Sequence, residues 1–494
     1  MSNTGDSLKW WILLTVIIGT FLGRLDQTIV NLALPKIMED FSITVSEAGW
    51  IATAYILANA VFVPVWGKLG DTIGRKKVYI WGFSIFIFGS VLAGLAWDLN
   101  SMIAFRIIQA IAGSADYPTA MAIIAVTFRG ARERAEALGI WSSAFAASAV
   151  FGPLLGGPLI DNFGWRSVFL INLPVGILGL AMALIFVRES VSEKRTVKFD
   201  VWGALTLGVT LSALVLVLDK GLDWGWTSFE ALACYAAVLV FGYAFYRIDS
   251  VHPEPIVDFK FFRIGAFMGA LTNNFTVFMG MMGGVFLIPV FVQTFLGYDA
   301  TQTGLMFMPM AAGMMIAAPL GSRLVGKVSP GIVITVSTLV AAVGILMFAS
   351  LDPRSGPLDI IIPVFIMASG MGFGMAQRTN IIASAVPEEE IGVASSVLAL
   401  VRNIAGAFGI AIFATILKNA TESSLLAISE NTVINTHDPI MLQQIAALMV
   451  LKAQILGYHT VFIIASLIMF VSAALAFFMI KVKEKKSGVE VFVE

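Results

Sequence analysis

Long apolar segments separated by short polar connections dominate the sequence. A helix needs about 20 mostly apolar residues to cross a bilayer, and fourteen segments of the chain meet that length. Lipid offers no hydrogen-bond partners to exposed backbone groups, so each segment is expected to be a helix. The predicted spans are residues 9–36, 46–67, 77–97, 100–127, 136–160, 165–187, 201–219, 228–247, 264–296, 302–325, 330–350, 359–385, 391–417 and 459–481.

The distribution of Lys and Arg supports this count. With fourteen spans, 21 of these residues fall on the side that holds both termini, 6 fall on the opposite side and 4 lie within spans. Cytoplasmic loops are the ones enriched in Lys and Arg. The pattern therefore predicts an all-α, multi-pass protein of the cytoplasmic (inner) membrane with both termini in the cytoplasm. The first apolar run is too long for a signal peptide, so we expect it to be the first span.

One connection on the predicted outer side is much longer than the others. Residues 418–458 include an amphipathic stretch at 439–456. Polar side chains such as Gln443, Gln444 and Lys452 are costly within lipid. This stretch is therefore expected to lie on the outer surface, or to pack on the bundle, rather than to span the membrane.

Composition agrees with a membrane protein and excludes several other classes. Of the 494 residues, 58% are hydrophobic and 13% are charged, whereas about 25% is usual for charged residues in soluble domains. The net charge is −1 and no basic patch is present, which argues against a nucleic-acid partner. The single cysteine, Cys234, excludes an intrachain disulfide and a cysteine-based metal cluster.

The sequence has no motif of a catalytic site. It contains no Walker A loop, no set of nucleophile, base and orienting residue, and no metal-ligand spacing. We therefore expect neither an enzyme nor a bound cofactor or metal ion. Because no ATP-binding loop is present, the remaining energy source is an ion gradient such as the proton gradient. The membrane potential supplies about 2.3 kcal/mol per charge for each 100 mV.

Two similar segments divide the chain into halves. PVWGKLGDTIGRKK (64–77) follows the second span, and PLGSRLVGKVSPG (319–331) follows the tenth. Both place Pro, Gly, Leu and a basic residue in that order at a predicted cytoplasmic turn, and repeated halves are the architecture of secondary transporters. The predicted domains are a six-helix bundle at 1–190, two inserted helices with linkers at 191–262, and a second six-helix bundle at 263–494.

Two glycine-containing motifs are predicted to govern conformational change. In the first, Gly67 and Gly74 permit a tight turn, Asp71 can face a helix N-terminus, and Arg75 holds the cytoplasmic side. In the fifth span, small residues permit close packing and a proline bends the helix, which suits a hinge or a seal against leakage as well as ordinary helix packing. The residues of this second motif are Gly152, Pro153, Gly156 and Gly157.

These motifs resemble those of a known family. GKLGDTIGRKK (67–77) is similar to the loop 2–3 signature of the major facilitator superfamily. LDQTIVNLALP (25–35) resembles the first-helix signature of its fourteen-helix drug:proton antiporters, the EmrB/QacA type. RIIQAIAG (106–113), AVFGPLLGG (149–157) and LVRNIAGAFGIAI (400–412) resemble further signatures of this group. The resemblance implies the superfamily fold, two six-helix bundles plus two inserted helices, with alternating access and, most often, proton-coupled export.

Charged residues within the spans are functional candidates, because each costs roughly 2.5–3.5 kcal/mol to insert. The N-terminal half has four, Arg24, Asp26, Arg106 and Asp116. The resemblance matches Asp26 to the first-helix acid and Arg106 to the fourth-helix arginine that governs proton traffic at a nearby acid. The alternative for this pair is a static buried salt bridge. Asp116 departs from the family pattern and is a candidate second proton site, cation-binding carboxylate or partner of Arg24.

The helical period separates the two charges of the first span. Arg24, Gln27 and Asn31 share one face of the helix, whereas Asp26 points about 200° away from Arg24. We therefore expect the Arg24 face to line the substrate cavity. Asp26 is expected to face another helix, with Arg106 as its partner.

The C-terminal half has two arginines within spans, Arg378 and Arg402, and no acid clearly inside a span. Arg402 fits the family pattern and is assigned to conformational gating, whereas Arg378 departs from the pattern and is assigned to the cavity. Two unpaired arginines would make this side of the cavity positive, which leaves an anionic or zwitterionic substrate open. The other predicted cavity residues are Tyr117, Asn273, Asn274 and Gln293.

Together these patterns predict a secondary active transporter that exports amphipathic compounds, including drugs, by proton antiport and alternating access. Its expected partners are small amphipathic substrates, protons and the lipid bilayer, and it is expected to be a monomer. Export of an anionic amphiphile, a lipid precursor or a metabolite is one alternative. The other is an inner-membrane subunit of an envelope-spanning efflux complex, in which residues 418–458 dock a periplasmic adaptor.

Overall fold

Helices form almost all of the computed structural model, which describes residues 3–128, 131–190, 200–253, 255–324, 327–386, 391–432 and 438–479. Short 3-10 helices occur at Phe259–Arg263 and Phe348–Ser350. The α-helices are α1 (Asn3–Phe41), α2 (Val45–Ile73), α3 (Arg75–Gly94), α4 (Leu99–Gly113), α5 (Asp116–Thr127), α6 (Ala131–Phe163), α7 (Ser167–Leu170), α8 (Asn172–Phe186), α9 (Val201–Trp224), α10 (Phe229–Asp249), α11 (Gly265–Phe295), α12 (Ala300–Ser322), α13 (Pro330–Met347), α14 (Leu358–Ser384), α15 (Ile391–Asn431) and α16 (Pro439–Met479).

The helices confirm the predicted fold class. Within the described residues, thirteen helical segments are long and apolar enough to cross a membrane. The fourteenth predicted span lies in α6, a helix of 33 residues that packs against α1 and α12. α4 with α5, and α7 with α8, each form one crossing made of two consecutive helices. The protein is therefore an all-α, multi-pass membrane protein.

Successive crossings run in alternate directions between two faces of the bundle. We call the face that holds the start of α1 and the turn at Gly74 the proximal face. The opposite face, which holds the connections at residues 42–44 and 296–299, is called the distal face.

The two halves meet along two helix pairs. α6 packs against α12, and α2 packs against α15. The inserted helix α9 contacts both α2 and α15, so it flanks the second of these junctions. One hydrophobic core includes residues from both halves, among them Ile29, Leu34, Phe286 and Phe291. Because α1 and α11 contribute these side chains near their distal ends, the core joins the halves toward the distal face.

The connection at 418–458 differs from the predicted loop. α15 continues to Asn431, and α16 begins at Pro439, so the predicted surface stretch at 439–456 is the first part of a continuous helix. Each helix has 41 residues, which gives about 60 Å of length, twice the bilayer core of about 30 Å. The two helices pack on each other. Most side chains of residues 421–432 and 439–450 are nevertheless exposed, so these parts of the two helices are helical with little burial.

Candidate functional site

A buried ion pair joins α1 to α4 in the N-terminal half. Arg106 Nη1 donates a hydrogen bond of 2.6 Å to Asp26 Oδ2. Both residues are almost completely buried, with 2% of Arg106 and 1% of Asp26 exposed. This contact confirms the prediction that Asp26 faces Arg106. Removing one partner of such a buried pair costs about 3–5 kcal/mol, because the other charge then stays buried alone.

Neutral amides complete the surroundings of the carboxylate. Gln109 Nε2 and Asn172 Nδ2 each donate to Asp26 Oδ1 over 3.0 Å. Arg106 Nη1 also donates to Gln109 Oε1 over 2.7 Å. Sequence reasoning missed both amides. Gln109 lies three residues after Arg106 and therefore on the same helix face, a signal that was available, whereas Asn172 comes from a distant helix.

A tyrosine of α2 covers the arginine of this pair. The guanidinium carbon of Arg106 lies 4.1 Å from the centroid of the Tyr55 ring, a cation–π geometry. Phe169 lies on the same arginine at 5.6 Å. Tyr55 is 2% exposed, and its side chain lies beside Gln27 on the other face of α1. Sequence reasoning did not single out Tyr55.

The Arg24 face of α1 carries a separate set of contacts. Arg24 Nη1 donates to Gln27 Oε1 over 3.2 Å. Thr20, one turn earlier on this face, donates its hydroxyl to Asp116 Oδ2 over 2.8 Å. Asn31, one turn after Gln27, is partly exposed. The structure therefore separates Arg24 from Asp26, as the helical period predicts, and brings Asp116 to the Arg24 face through Thr20.

Asp116 also borders a small cavity. The cavity has a volume of about 20 Å³, and Gly19 and Tyr79 line it together with Asp116. This is enough room for one water molecule. Among the described residues, Asp116 Oδ1 has no hydrogen-bond partner. A water or proton carrier in the cavity would satisfy that oxygen.

Aromatic and cationic side chains face each other between the halves. Tyr117 is 41% exposed, and its ring centroid lies 5.4 Å from that of Trp141. Arg402, from the other half, lies within electrostatic range of Tyr117. Its guanidinium carbon also lies 5.0 Å from the centroid of the Phe278 ring. Arg402 donates at 3.4 Å to Asn274 Oδ1 and to Thr379 Oγ1, and of these two partners Thr379 is exposed whereas Asn274 is fully buried.

Arg378 lies elsewhere, inside the C-terminal half. Its Nε donates to Asn273 Oδ1 over 2.8 Å, and its Nη2 donates over 3.1 Å to both Ser337 and Thr338. Its Nη1 donates to the Met371 carbonyl over 3.3 Å. α13, which supplies the two hydroxyls, packs mainly on α14 and α16 of the same half. Arg378 and Asn273 thus form an internal cluster, which corrects their predicted place on the cavity wall.

Hydrogen bonds between the halves close the distal side. Gln293 Nε2 donates to the Leu32 carbonyl of α1 over 3.1 Å, so this predicted cavity residue lies at a contact between the halves. Asp161, at the end of α6, accepts the backbone N–H groups of Ala300 over 3.2 Å and Thr301 over 2.9 Å. Asp161 was missed because nothing in its local sequence points to a helix of the other half.

The motif between α2 and α3 forms a tight proximal turn. Gly74 has φ of 113°, a value that favours glycine. Glu189 accepts the backbone N–H of Lys76 over 3.1 Å, which places a carboxylate at the start of α3. Arg75 Nη1 donates to the Ala122 carbonyl over 3.5 Å and so links this turn to α5. Two predicted gating residues, Gly67 and Asp71, lie among the residues of α2 whose surroundings the structure does not describe.

Glycines of α6 permit close packing on both halves. A Cβ added at Gly152 would clash with the Thr28 hydroxyl of α1. A Cβ at Gly157 would clash with the Thr301 backbone of α12. Gly156 packs on α1 as well. The helix therefore touches both halves where only glycine fits, and Pro153 lies outside the residues whose side chains are described.

The described residues hold no group of three or more His, Cys, Asp or Glu arranged to bind a metal ion.

Known proteins resemble the chain in sequence and in fold. Residues 16–410 match the family model of the Major Facilitator Superfamily. The chain is 34% identical over 431 residues to multidrug transporter protein MdtP of Bacillus subtilis, with 86% of this chain and 78% of that protein covered. It is 33% identical over 408 residues to multidrug resistance protein Stp of Mycobacterium tuberculosis, with 82% and 76% covered.

Solved structures agree on the fold. An inward-facing bacterial homolog of the human lysosomal transporter Spinster superposes with a TM-score of 0.71 at 17% identity, over 96% of this chain and 97% of that one. A POT family transporter in complex with 5-aminolevulinic acid gives a TM-score of 0.69 at 15% identity, over 95% and 96%. With the family model matching most of its length, this chain belongs to the Major Facilitator Superfamily.

Proposed function

We propose that this protein is a proton-coupled antiporter that exports amphipathic compounds, including drugs, by alternating access. Relatives named for multidrug transport and multidrug resistance support this class. The observation that carries the proton coupling is the Asp26–Arg106 pair, an ion pair at mid-helix depth whose carboxylate is held by neutral amides. Burial favours the neutral form of a carboxylate, whereas a neighbouring arginine favours the charged form. Such a carboxylate can change its protonation state as its surroundings open and close.

In the proposed cycle the proximal face is cytoplasmic, and both chain termini lie in the cytoplasm. The contacts at Asp161 and Gln293 hold the distal side closed, so substrate enters from the cytoplasm. Outward opening breaks these contacts and releases the substrate. A proton from outside then neutralises Asp26, and the return of the closed distal side delivers it to the cytoplasm. The proton gradient supplies the energy, with no cofactor.

The substrate surface combines rings with positive charge. Tyr117 and the partly buried Phe278 offer ring contact to an amphipathic molecule. Arg402 lies 5.0 Å from the Phe278 ring, and the partly exposed Arg24 of α1 adds a second positive charge. Two arginines on this surface also favour a second candidate, export of an anionic amphiphile such as a lipid precursor or metabolite. Asp116 favours cationic compounds, so the charge preference must be measured. The transporter is proposed to act as a monomer, and a periplasmic adaptor would be detected by co-purification.

Transport into proteoliposomes with an imposed pH gradient tests the proposal. The probes are ethidium, a lipophilic cation, and 5-carboxyfluorescein, an anion. Asp26→Asn is expected to lower gradient-driven transport strongly, and Asp116→Asn is expected to weaken it less. Asp258→Asn, the same change at a loop residue paired with Lys260, is the matched control and should transport normally. Gradient-driven transport that survives in both Asp26→Asn and Asp116→Asn would contradict the coupling assignment.

A further inference from the structure

We propose that Tyr55 connects the proton-binding pair to the substrate-facing side of α1, and so acts as the positioning residue that couples the two sites. The inference rests on the proposed function. Arg24 and Asp26 point away from each other, so the two faces of α1 need a connection that passes through a neighbouring helix. Tyr55 of α2 touches both faces.

The connection consists of three consecutive contacts. The ring of Tyr55 lies 4.1 Å from the guanidinium carbon of Arg106, which holds Asp26. The hydroxyl end of Tyr55 lies beside the Gln27 side chain. Gln27 Oε1 accepts Arg24 Nη1 over 3.2 Å. One rigid side chain therefore contacts the arginine at its ring face and the substrate face of α1 at its hydroxyl end.

Packing leaves this ring little freedom to move by itself. Tyr55 is 2% exposed, and a Cβ added at Gly113 would lie 3.2 Å from its hydroxyl oxygen. Protonation of Asp26 removes the counter-ion of Arg106, so the ring and Gln109 become its remaining close partners. When the Arg106 guanidinium shifts on the Tyr55 ring, the ring moves as a rigid body. Its hydroxyl is then displaced relative to Gln27.

Coupling of this kind is reciprocal. If a proton at Asp26 changes substrate affinity by some factor, bound substrate changes proton affinity by the same factor. Without the Tyr55 hydroxyl, protonation of Asp26 should no longer change substrate affinity, although the ring still covers Arg106. A purely structural tyrosine would change stability or affinity without changing their dependence on pH.

The test measures the dissociation constant of the purified, full-length protein at pH 6 and pH 8, with whichever of ethidium or 5-carboxyfluorescein the proteoliposomes export. For the wild type we expect about a tenfold ratio between the two pH values, within the usual range for coupled sites. Tyr55→Phe should reduce the ratio to less than about twofold. Tyr458→Phe, the same deletion at a buried tyrosine of the other half, should keep the tenfold ratio.

Gln27→Met provides a second variant. It removes the amide that accepts the Arg24 hydrogen bond, which is the next contact of the same connection. Its pH ratio should also collapse, and the double variant should show no additional loss, because both changes interrupt one chain. A Tyr55→Phe protein that keeps the wild-type ratio, or a double variant with additive losses, overturns the inference. If the wild type itself shows neither pH dependence nor gradient-driven transport, the proposed function fails instead.

Discussion

Arg106 and Arg378 are both fully buried arginines, one in each half, and their surroundings differ in kind. Arg106 binds the carboxylate of Asp26. Within the described residues, each hydrogen bond of Arg378 goes to a neutral oxygen. A carboxylate partner can gain or lose a proton, whereas amide, hydroxyl and carbonyl partners cannot. In the proposed mechanism, two halves with one architecture therefore differ in role, with proton binding in the first and a fixed polar framework in the second.

The largest effect is expected at the titratable member of the first site. Asp26→Asn keeps the shape of the side chain and its acceptor oxygen but removes the charge. Initial rates of pH-driven transport in proteoliposomes should fall about 100-fold, near the upper end of coupling between two sites. Binding of the probe should persist in detergent. A rate close to that of the wild type would place the proton chemistry outside this pair.

Arg378→Gln should affect folding more than transport. The change removes the donor from three oxygens. Asn273 and Thr338 can still bond to each other, whereas Ser337 Oγ loses its donor, at about 1–3 kcal/mol for a buried group left unsatisfied. Thermal unfolding of the solubilised protein should therefore begin at a lower temperature. Transport per folded molecule should stay near the wild-type rate, with the exposed Arg354→Gln as control. If the variant is stable but inactive, Arg378 takes part in transport as a cavity residue would.

Asp116→Asn should give an intermediate effect. An asparagine can still accept the Thr20 hydroxyl, but the charge beside the small cavity is lost. We expect pH-driven transport to fall about fivefold, at the low end of site coupling. The pH dependence of the rate, measured beside that of Asp26→Asn, decides the assignment. An unchanged rate at every pH would remove Asp116 from the coupling mechanism.

The smallest effect should follow from making the second site resemble the first. Asn273→Asp places a carboxylate on the Arg378 Nε–H, which Asn273 already accepts at 2.8 Å. A new buried pair offsets its desolvation only in part, so we expect a stability change of about 1 kcal/mol and little change in transport. The pH profile of transport is the readout. A shifted profile would mean that the C-terminal half also carries proton chemistry.

Periodicity and charge counting predicted much of this arrangement. The fourteen spans follow from segment length, and the opposite directions of Arg24 and Asp26 follow from the helical turn. The partnership of Asp26 with Arg106 came from family resemblance together with helix direction. These features depend on residues close in sequence, or on motifs shared with relatives.

The remaining features depend on contacts that no local pattern encodes. Tyr55 and Asn172 reach the ion pair from separate helices, and an ordinary apolar span contains each of them. Arg378 was misplaced because only acids were considered as its partners, although neutral oxygens can satisfy a guanidinium. The extended α15 and α16 were also not predicted. Polar side chains argue against a span within lipid, but they do not prevent a helix from continuing with most of its side chains exposed.

Two carboxylates accept hydrogen bonds from backbone N–H groups in the first turn of α12. Asp299 caps it from within by accepting the Gln302 N–H over 2.6 Å, and Asp161 adds a second carboxylate from α6. When the halves part, the N–H groups released by Asp161 need another acceptor, and water entering from the distal side is the available one. Each exchanged bond then costs only about 1 kcal/mol. The contact between Asp161 and α12 is thus most stable when water is excluded from it. Entry of water between the two halves becomes part of the opening step itself.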